Sequence, residues 1–351
     1  MSSDALPDPD IEWCYDAIQG VSRTFALTVD TLEEPMSSHI CVGYLLCRVA
    51  DTIEDASRIP PKRQAHLLRS YEAAIAPTTD YSILQFRETV ADWVPPEGER
   101  TDDWEVVAQV PRIWATFDNQ PGSIQKAIIS PVREMVGGMA MFVDRHADTD
   151  GLRISDRPEL EQYSYYVAGT VGKLITNLLT RKGLPQDRVQ TLYDTAVDFG
   201  LLLQLVNISK DVYDDYREEN NVYLPAEWLE NVGVGQDAIL KPSNRDSAAH
   251  VVERTTTHAA TFLDEAQTFL EAMPLTHGNT IAAWTVPYLL SVATIRELKS
   301  RPKDALTESG VKVSRKEVLA VLDTAKDVSR DSVAALRDTI SQRPYHQQVN
   351  Y

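Results

Sequence analysis

Two stretches of this chain, residues 40–53 and 199–208, carry apolar side chains at helical spacing on nearly every side. A helix that is hydrophobic all round belongs inside a bundle, where other helices cover it. Two such segments point to a helical bundle before any motif is read. The rest of the sequence agrees. Strand signals are nearly absent, and apolar residues recur at helical spacing between short clusters of Pro, Gly and Asp. Helices are expected at about 8–19, 22–31, 36–56, 61–76, 80–93, 103–118, 122–147, 157–182, 186–219, 243–272, 278–299 and 315–341. In the last, Ser314 stands three residues before Glu317, the spacing of a capping box. The breaks, such as Pro60-Pro61 and Pro121-Gly122, are too short for flexible linkers, and no internal repeat is found. The expectation is an all-α fold, one helical domain over residues 1–351.

Charge and cysteine content narrow the function. The formal net charge of −18 excludes nucleic acid as a partner, because a phosphate backbone demands a basic face. A dispersed acidic surface of this halophilic type suits a salt-rich cytosol, where screening tolerates self-repulsion. Cys14, Cys41 and Cys47 have no metal-ligand spacing and read as small core residues in a reducing compartment. The N-terminal segment MSSDALPDPD has no apolar run, so it is not read as a signal peptide. No run of about 18 apolar residues suggests a membrane span. A cytoplasmic protein is expected.

Each central segment ends in acids. Asp51, Glu54 and Asp55 stand at i, i+3 and i+4, and Asp211, Asp214 and Asp215 repeat the spacing about 160 residues later. Residues so spaced project from one helix face. Like charges there cost about 0.2–0.5 kcal/mol per pair in water and several kcal/mol per ion once buried. The helix dipole also disfavours acids near a C-terminus. Acids on helices are usually solvated, but two matched clusters on apolar helices ask for a compensating cation. Oxygen-only donors suit a hard ion, and Mg²⁺ usually brings phosphate oxygens with it. The chemistry implied is metal-assisted departure of a diphosphate.

At these residues the sequence resembles the squalene and phytoene synthase family, from about residue 22 to 316. SRTFALTVDTL (22–32) with YLLCRVADTIED (44–55) is similar to that family's first aspartate-rich region. YSYYVAGTVG (163–172) is similar to its second signature, and LQLVNISKDVYDD with VYLP (203–215 and 222–225) to its second aspartate-rich region. The resemblance implies an isoprenoid-synthase helical bundle with a central active-site cavity. It implies that Asp51, Glu54, Asp55, Asp211 and Asp215 hold Mg²⁺, the four aspartates counting as catalytic. Ser22, Arg23, Tyr44, Arg48 and Lys210 would bind substrate, chiefly its diphosphate, and Gln204 and Asn207 would line the reacting centre. Tyr163 matches the catalytic tyrosine, and Val167 and Val171 would line the prenyl channel. An aromatic face near a developing cation attracts it by up to about 2 kcal/mol when desolvated. Gly169 and Gly172 suit a place where a bulky tail or another helix comes close.

The C-terminal part, with an apolar helix interrupted by Pro287 and then ESGVKVSRKEV, resembles the squalene branch of the family. That implies farnesyl diphosphate as substrate and NADPH as reductant, with Lys312, Arg315 and Lys316 on its phosphates, although no GxGxxG fingerprint occurs. Departures exist: Asn220 and Asn221 stand where the family usually has a basic residue, Lys210 where Arg is common, and Ala283 in place of an aromatic. The alternatives are a phytoene or dehydrosqualene synthase without reductant, a non-catalytic helical partner in a prenyl-lipid complex, and a head-to-tail elongator or terpene cyclase. No transmembrane anchor is expected, and peripheral membrane contact would serve product release.

Overall fold

A computed structural model describes residues 6–149, 151–181, 183–274 and 279–348, without the side chains of Arg23 and Thr24. In chain order its helices are α1 (Ile11–Val21), α2 (Arg23–Thr31), α3 (Met36–Glu54), α4 (Pro61–Ala74), α5 (Ile83–Thr89), α6 (Asp102–Ala108) and α7 (Val110–Asp118). The middle of the chain forms α8 (Gly122–Arg145), α9 (Arg157–Ser164), α10 (Thr170–Leu179), α11 (Gln186–Lys210), α12 (Val212–Asp214) and α13 (Ala226–Glu230). The last five are α14 (Arg245–Ala260), α15 (Leu263–Ala272), α16 (Thr280–Ser300), α17 (Arg315–Ala325) and α18 (Arg330–Gln342). Among the described residues there is no β-strand, only a parallel bridge between Arg153 and Val222.

The all-round apolar segments sit in the middle, as their pattern requires. On α3 the residues from Ile40 to Cys47 are buried except Tyr44, and on α11 Phe199, Leu202 and Leu205 are buried. Helix α8 packs against α3, α4 and α10, while α11 packs against α10, α14, α15 and α16. One large core runs through these helices, and a smaller cluster around Trp228, Leu229 and Val252 covers the segment after α12. Cys14, Cys41 and Cys47 are free and buried in the large core. No helix among the described residues is long and apolar enough to cross a membrane.

Several expected helices are divided. The one at 103–118 breaks between Ala108 and Val110, that at 243–272 breaks at Thr261, and that at 315–341 breaks between Ala325 and Arg330. Apolar periodicity runs through such breaks because both halves pack on the same core. The capping box at Ser314 is half made. Its hydroxyl accepts from the Glu317 N–H at 3.2 Å, but the Glu317 carboxylate turns inward to Arg296 at 2.8 Å. A buried ion pair outcompetes a local cap there.

Both signature motifs leave regular α geometry. Residues Tyr165–Gly169 and Asp215–Glu219 each form one wide turn of π-helix. Such turns are rare and cluster at functional sites. Gly172 and Gly200 have a simpler reason. A Cβ on Gly172 would lie 2.0 Å from the Ala196 carbonyl oxygen, and one on Gly200 would lie 2.3 Å from that of Ala168. Close packing of one helix on another, not room for a ligand tail, explains them.

Candidate active site

Helix α3 delivers the first acid cluster. The Asp55 N–H donates to the Asp51 carbonyl at 2.9 Å, so the three acids keep their helical register. Glu54 is buried, and Asp51 and Asp55 are half-buried. Arg48 Nε donates to Asp103 Oδ1 at 2.8 Å, while Nη1 stands 3.8 Å from Asp51 Oδ2. Burial, only partly countered by Arg48, pushes the Asp51 carboxyl up to about 6. Burial and then the charges of Asp51 and Glu219 hold Glu54 well above the usual carboxylate range. Asp55 is raised by burial and by Glu219.

The second cluster starts where α11 stops. Asp211 is the last residue's cap, at φ −100° and ψ 13°. The Asp215 N–H still reaches the Asp211 carbonyl at 2.9 Å. Lys210 Nζ donates to Asp211 Oδ2. Asp214 does not join its neighbours: it is exposed. This corrects the expectation of three acids on one face. Past α12 the chain enters the π-turn, and it is Glu219, at its end, that is half-buried. Burial pushes Glu219 up to about 7, against the lowering effect of its hydrogen bond from Asn221. Glu219 in turn acts on Asp215, which burial already holds high. Sequence reasoning missed Glu219, although its position four residues after Asp215 was the available signal.

Tyr163 stands between the clusters. Its ring stacks on Tyr223 at 4.9 Å, and Phe142 meets it edge-on at 5.3 Å. Its hydroxyl lies 3.3 Å from Glu54 Oε2 and 3.1 Å from the Tyr223 hydroxyl. Backbone pairing secures the Tyr223 segment, with the Val222 N–H on the Leu152 carbonyl at 2.9 Å. Asn220, at φ 59°, accepts from Arg153 Nη2 through its side-chain oxygen at 3.1 Å. Arg153 therefore supplies a cation from another segment beside the position where the chain itself lacks one.

The remaining residues fall in three groups. Ser22 caps α2, its hydroxyl accepting from the Phe25 N–H at 3.3 Å, and Phe25 stacks on Tyr44 at 4.1 Å. Burial pushes the Tyr44 phenol up to about 12. Arg23 opens the same helix, and its side chain lies outside the described residues. Val167, in the first π-turn, and Val171, on α10, are half-buried against the large core. Gln204 and Asn207 share the face of α11 that leads to Asp211, the first half-buried and the second exposed. Lys312, Arg315 and Lys316 are exposed at the start of α17, which packs mainly on α16.

The donor set suits a hard divalent cation. The acids offer only oxygen, their charges repel one another, and Glu54 Oε1 is buried without a hydrogen-bond partner. Among the described residues no three His, Cys, Asp or Glu side chains converge to hold one ion by themselves. Mg²⁺ is usually held by one or two carboxylates together with phosphate oxygens, so a cage of protein ligands is not needed.

Comparison with known proteins fits this geometry. The family model for squalene/phytoene synthase matches residues 18–317. The squalene synthase of Bos taurus is 26% identical over 295 residues, which are 84% of this chain and 65% of the bovine protein. The lycopaoctaene synthase of Botryococcus braunii is 26% identical over 322 residues, 91% of this chain and 67% of that protein. The chain thus spans about two thirds of the curated relatives it matches. Among solved structures, a complex of TcSQS with the ligand E5700 superposes with a TM-score of 0.78 at 23% identity, covering 98% of this chain and 93% of the other. A dehydrosqualene synthase in complex with ligand gives 0.61 at 23% identity, over 90% and 95% of the two chains. These likenesses show the fold.

Proposed function

The chain belongs to the squalene/phytoene synthase family, and from that premise we propose that it joins two molecules of farnesyl diphosphate head to head and reduces the product to squalene. What carries the reading is one observation: Tyr163 is hydrogen-bonded to Glu54 at the end of α3 and stacks on Tyr223, whose hydroxyl shares the Asn221 amide with Glu219 of the turn after α12. Asp51, Glu54, Asp55, Asp211 and Asp215 would hold Mg²⁺, which when bound neutralises charge on the departing diphosphate. Ser22, Arg23, Tyr44, Arg48 and Lys210 bind and orient the diphosphate and its allylic end. Gln204 and Asn207 line the reacting centre, and Val167 and Val171 the prenyl channel. The apolar sides of α3, α8 and α11 keep water from the allylic cation. Tyr163 steadies that cation while the double bond of the second substrate attacks it, and loss of a proton, taken up by the departing diphosphate, then closes the cyclopropane of presqualene diphosphate. Lys312, Arg315 and Lys316 would bind the phosphates of NADPH for the reduction. The whole machinery works as one helical domain on the cytoplasmic side, touching the membrane to release its hydrocarbon.

A second product class is favoured by one specific likeness, since a lycopaoctaene synthase matches the chain at the same 26% identity as a squalene synthase. The deciding experiment incubates the purified protein and Mg²⁺ with farnesyl or geranylgeranyl diphosphate, with and without NADPH, and identifies the hydrocarbon. Squalene that requires NADPH supports the proposal. Phytoene formed regardless of NADPH moves the chain to the other branch. A melting temperature unmoved by Mg²⁺ with a diphosphate, and no product from either substrate, would favour a non-catalytic helical partner.

A further inference from the structure

The cation beside the first acid cluster is held from behind by a residue outside the signature motifs. Arg48 Nε donates to Asp103 Oδ1 at 2.8 Å. Its Nη1 stands 3.8 Å from Asp51 Oδ2, an ion-pair distance too long for a hydrogen bond. Among the described residues Nη1 and Nη2 donate to no acceptor. A guanidinium is a rigid planar fork, so a fixed Nε sets its plane and leaves the Nη groups free to donate. Asp103 is itself well placed to do this. It lies in the first turn of α6, and that turn is held from several directions. The Thr101 hydroxyl accepts from the Trp104 N–H at 3.3 Å, and Arg100 Nη1 donates to Glu105 at 2.8 Å. The Arg58 guanidinium, just past α3, lies 4.2 Å over the Trp104 ring. A Cβ on Gly20 would lie 2.6 Å from Asp102 Cγ, so the same turn is seated against the end of α1, just before Ser22.

We propose that Asp103 is a positioning residue that orients the Arg48 guanidinium, so that Nη1 and Nη2 together meet oxygens of the substrate diphosphate. The proposal rests on the reading of Arg48 as a diphosphate ligand given above. An arginine grips phosphate most firmly through such a paired contact, which a misdirected fork cannot make. The charge of Asp103 is no help by itself, since it opposes an anionic ligand and offsets part of the Arg48 charge. What it supplies is direction. It holds a long side chain in one arrangement before the ligand arrives, so less freedom is lost on binding. Asp103→Asn keeps an oxygen for Nε and removes the charge. Asp103→Ala removes both, and Arg48 is then free to swing onto Asp51.

The full chain is compared with Asp103→Ala, Asp103→Asn, Arg48→Ala and the double variant of Asp103→Ala with Arg48→Ala, after melting curves show that they fold. Each is assayed with Mg²⁺ and farnesyl diphosphate, and its binding of inorganic pyrophosphate with Mg²⁺ is measured by calorimetry. Asp103→Ala is expected to lower kcat/KM and the pyrophosphate affinity about tenfold each. Asp103→Asn should stay within about threefold of wild type in both, because the acceptor remains. In the Arg48→Ala background, Asp103→Ala should cost less than about twofold, because the side chain it orients is gone. Should Asp103→Ala not fold, Asp103→Ser takes its place, with a side chain too short to reach Nε. An Asp103→Ala protein with wild-type kcat/KM and wild-type pyrophosphate affinity overturns the proposal. So does an Asp103→Asn protein that falls as far as Asp103→Ala. Equal losses with and without Arg48 also overturn it, since that is what a merely structural role would give. A wild-type protein that forms no hydrocarbon, yet binds pyrophosphate more weakly once Asp103→Ala is made in the presence of Arg48, refutes prenyl transfer and leaves the orienting role standing.

Discussion

The two acid clusters share one spacing in sequence and take two different forms in space. At the end of α3 all three acids stay in the register of a regular helix, and Glu54 is the most buried of them. After α11 the helix gives way at Asp211, Asp214 turns to solvent, and Glu219 takes the inward position through a π-turn. The cations differ as well. Arg48 is anchored by Asp103, whereas Lys210 simply folds onto its neighbour Asp211. A spacing of i, i+3, i+4 is therefore a statement about one face only while the helix lasts. The first cluster keeps its register because its buried helix runs through it, and the second is assembled from residues that the regular pattern would not have joined.

The strongest way to break this comparison is to neutralise one acid in each cluster. Asp55→Asn is expected to lower kcat by roughly 10³-fold, about 4 kcal/mol of transition-state stabilisation, in the product assay with Mg²⁺. The same change should raise the melting temperature of the metal-free protein, since it removes one of several mutually repelling buried charges. An unchanged kcat would detach the first cluster from the chemistry. Glu219→Gln tests the second cluster where the two readings part. It should cost roughly 10²-fold in kcat, and a value near wild type would return that cluster to the aspartates alone.

Much of this was legible in the sequence, for physical reasons. Residues 40–53 and 199–208 were expected to be central because a helix apolar on nearly every side, and too short to span a membrane, needs other helices to cover it. Asp51, Glu54 and Asp55 were legible for the same reason, since the burial of α3 fixes where its last turn points. Glu219, Asn221 and Tyr223 were not. Their meeting depends on a π-turn and on pairing with residues 152–154, far away in the chain, and neither follows from local propensity. The inward turn of Glu317 to Arg296 was hidden likewise, because a tertiary ion pair overrode a local cap.

Acidity offers a third test. A carboxyl whose folded value is raised binds its proton more tightly in the folded state than in the unfolded chain. The folded state is then favoured at low pH, and stability falls as pH rises from the ordinary carboxylate value through the raised one. For Asp51, at about 6 in the fold against 3.8, the loss is roughly 2–3 kcal/mol. Glu219, at about 7, extends the decline toward neutrality. Urea titrations of the metal-free protein between about pH 4.5 and 7 should show this fall. Added Mg²⁺ and pyrophosphate should flatten it by binding the charged form. Stability rising with pH across that window would mean the acids are already compensated by the protein.

The smallest effect discriminates most sharply between sequence pattern and fold. Asp214 and Asp211 flank the same turn, carry the same charge and belong to the same i, i+3, i+4 triple. If spacing alone made the site, Asp214→Asn would be as damaging as Asp211→Asn. In the fold Asp214 is exposed, and a surface charge removed from water-accessible ground changes little, typically within about 0.5 kcal/mol. Asp214→Asn should therefore leave kcat and KM within about twofold, while Asp211→Asn, at the junction that Lys210 contacts, should lose activity by roughly 10²-fold. Equal losses in the two variants would mean that α11 runs on as a regular helix through Asp215 in the working protein. The contrast between the clusters would then disappear, and with it the inward position of Glu219.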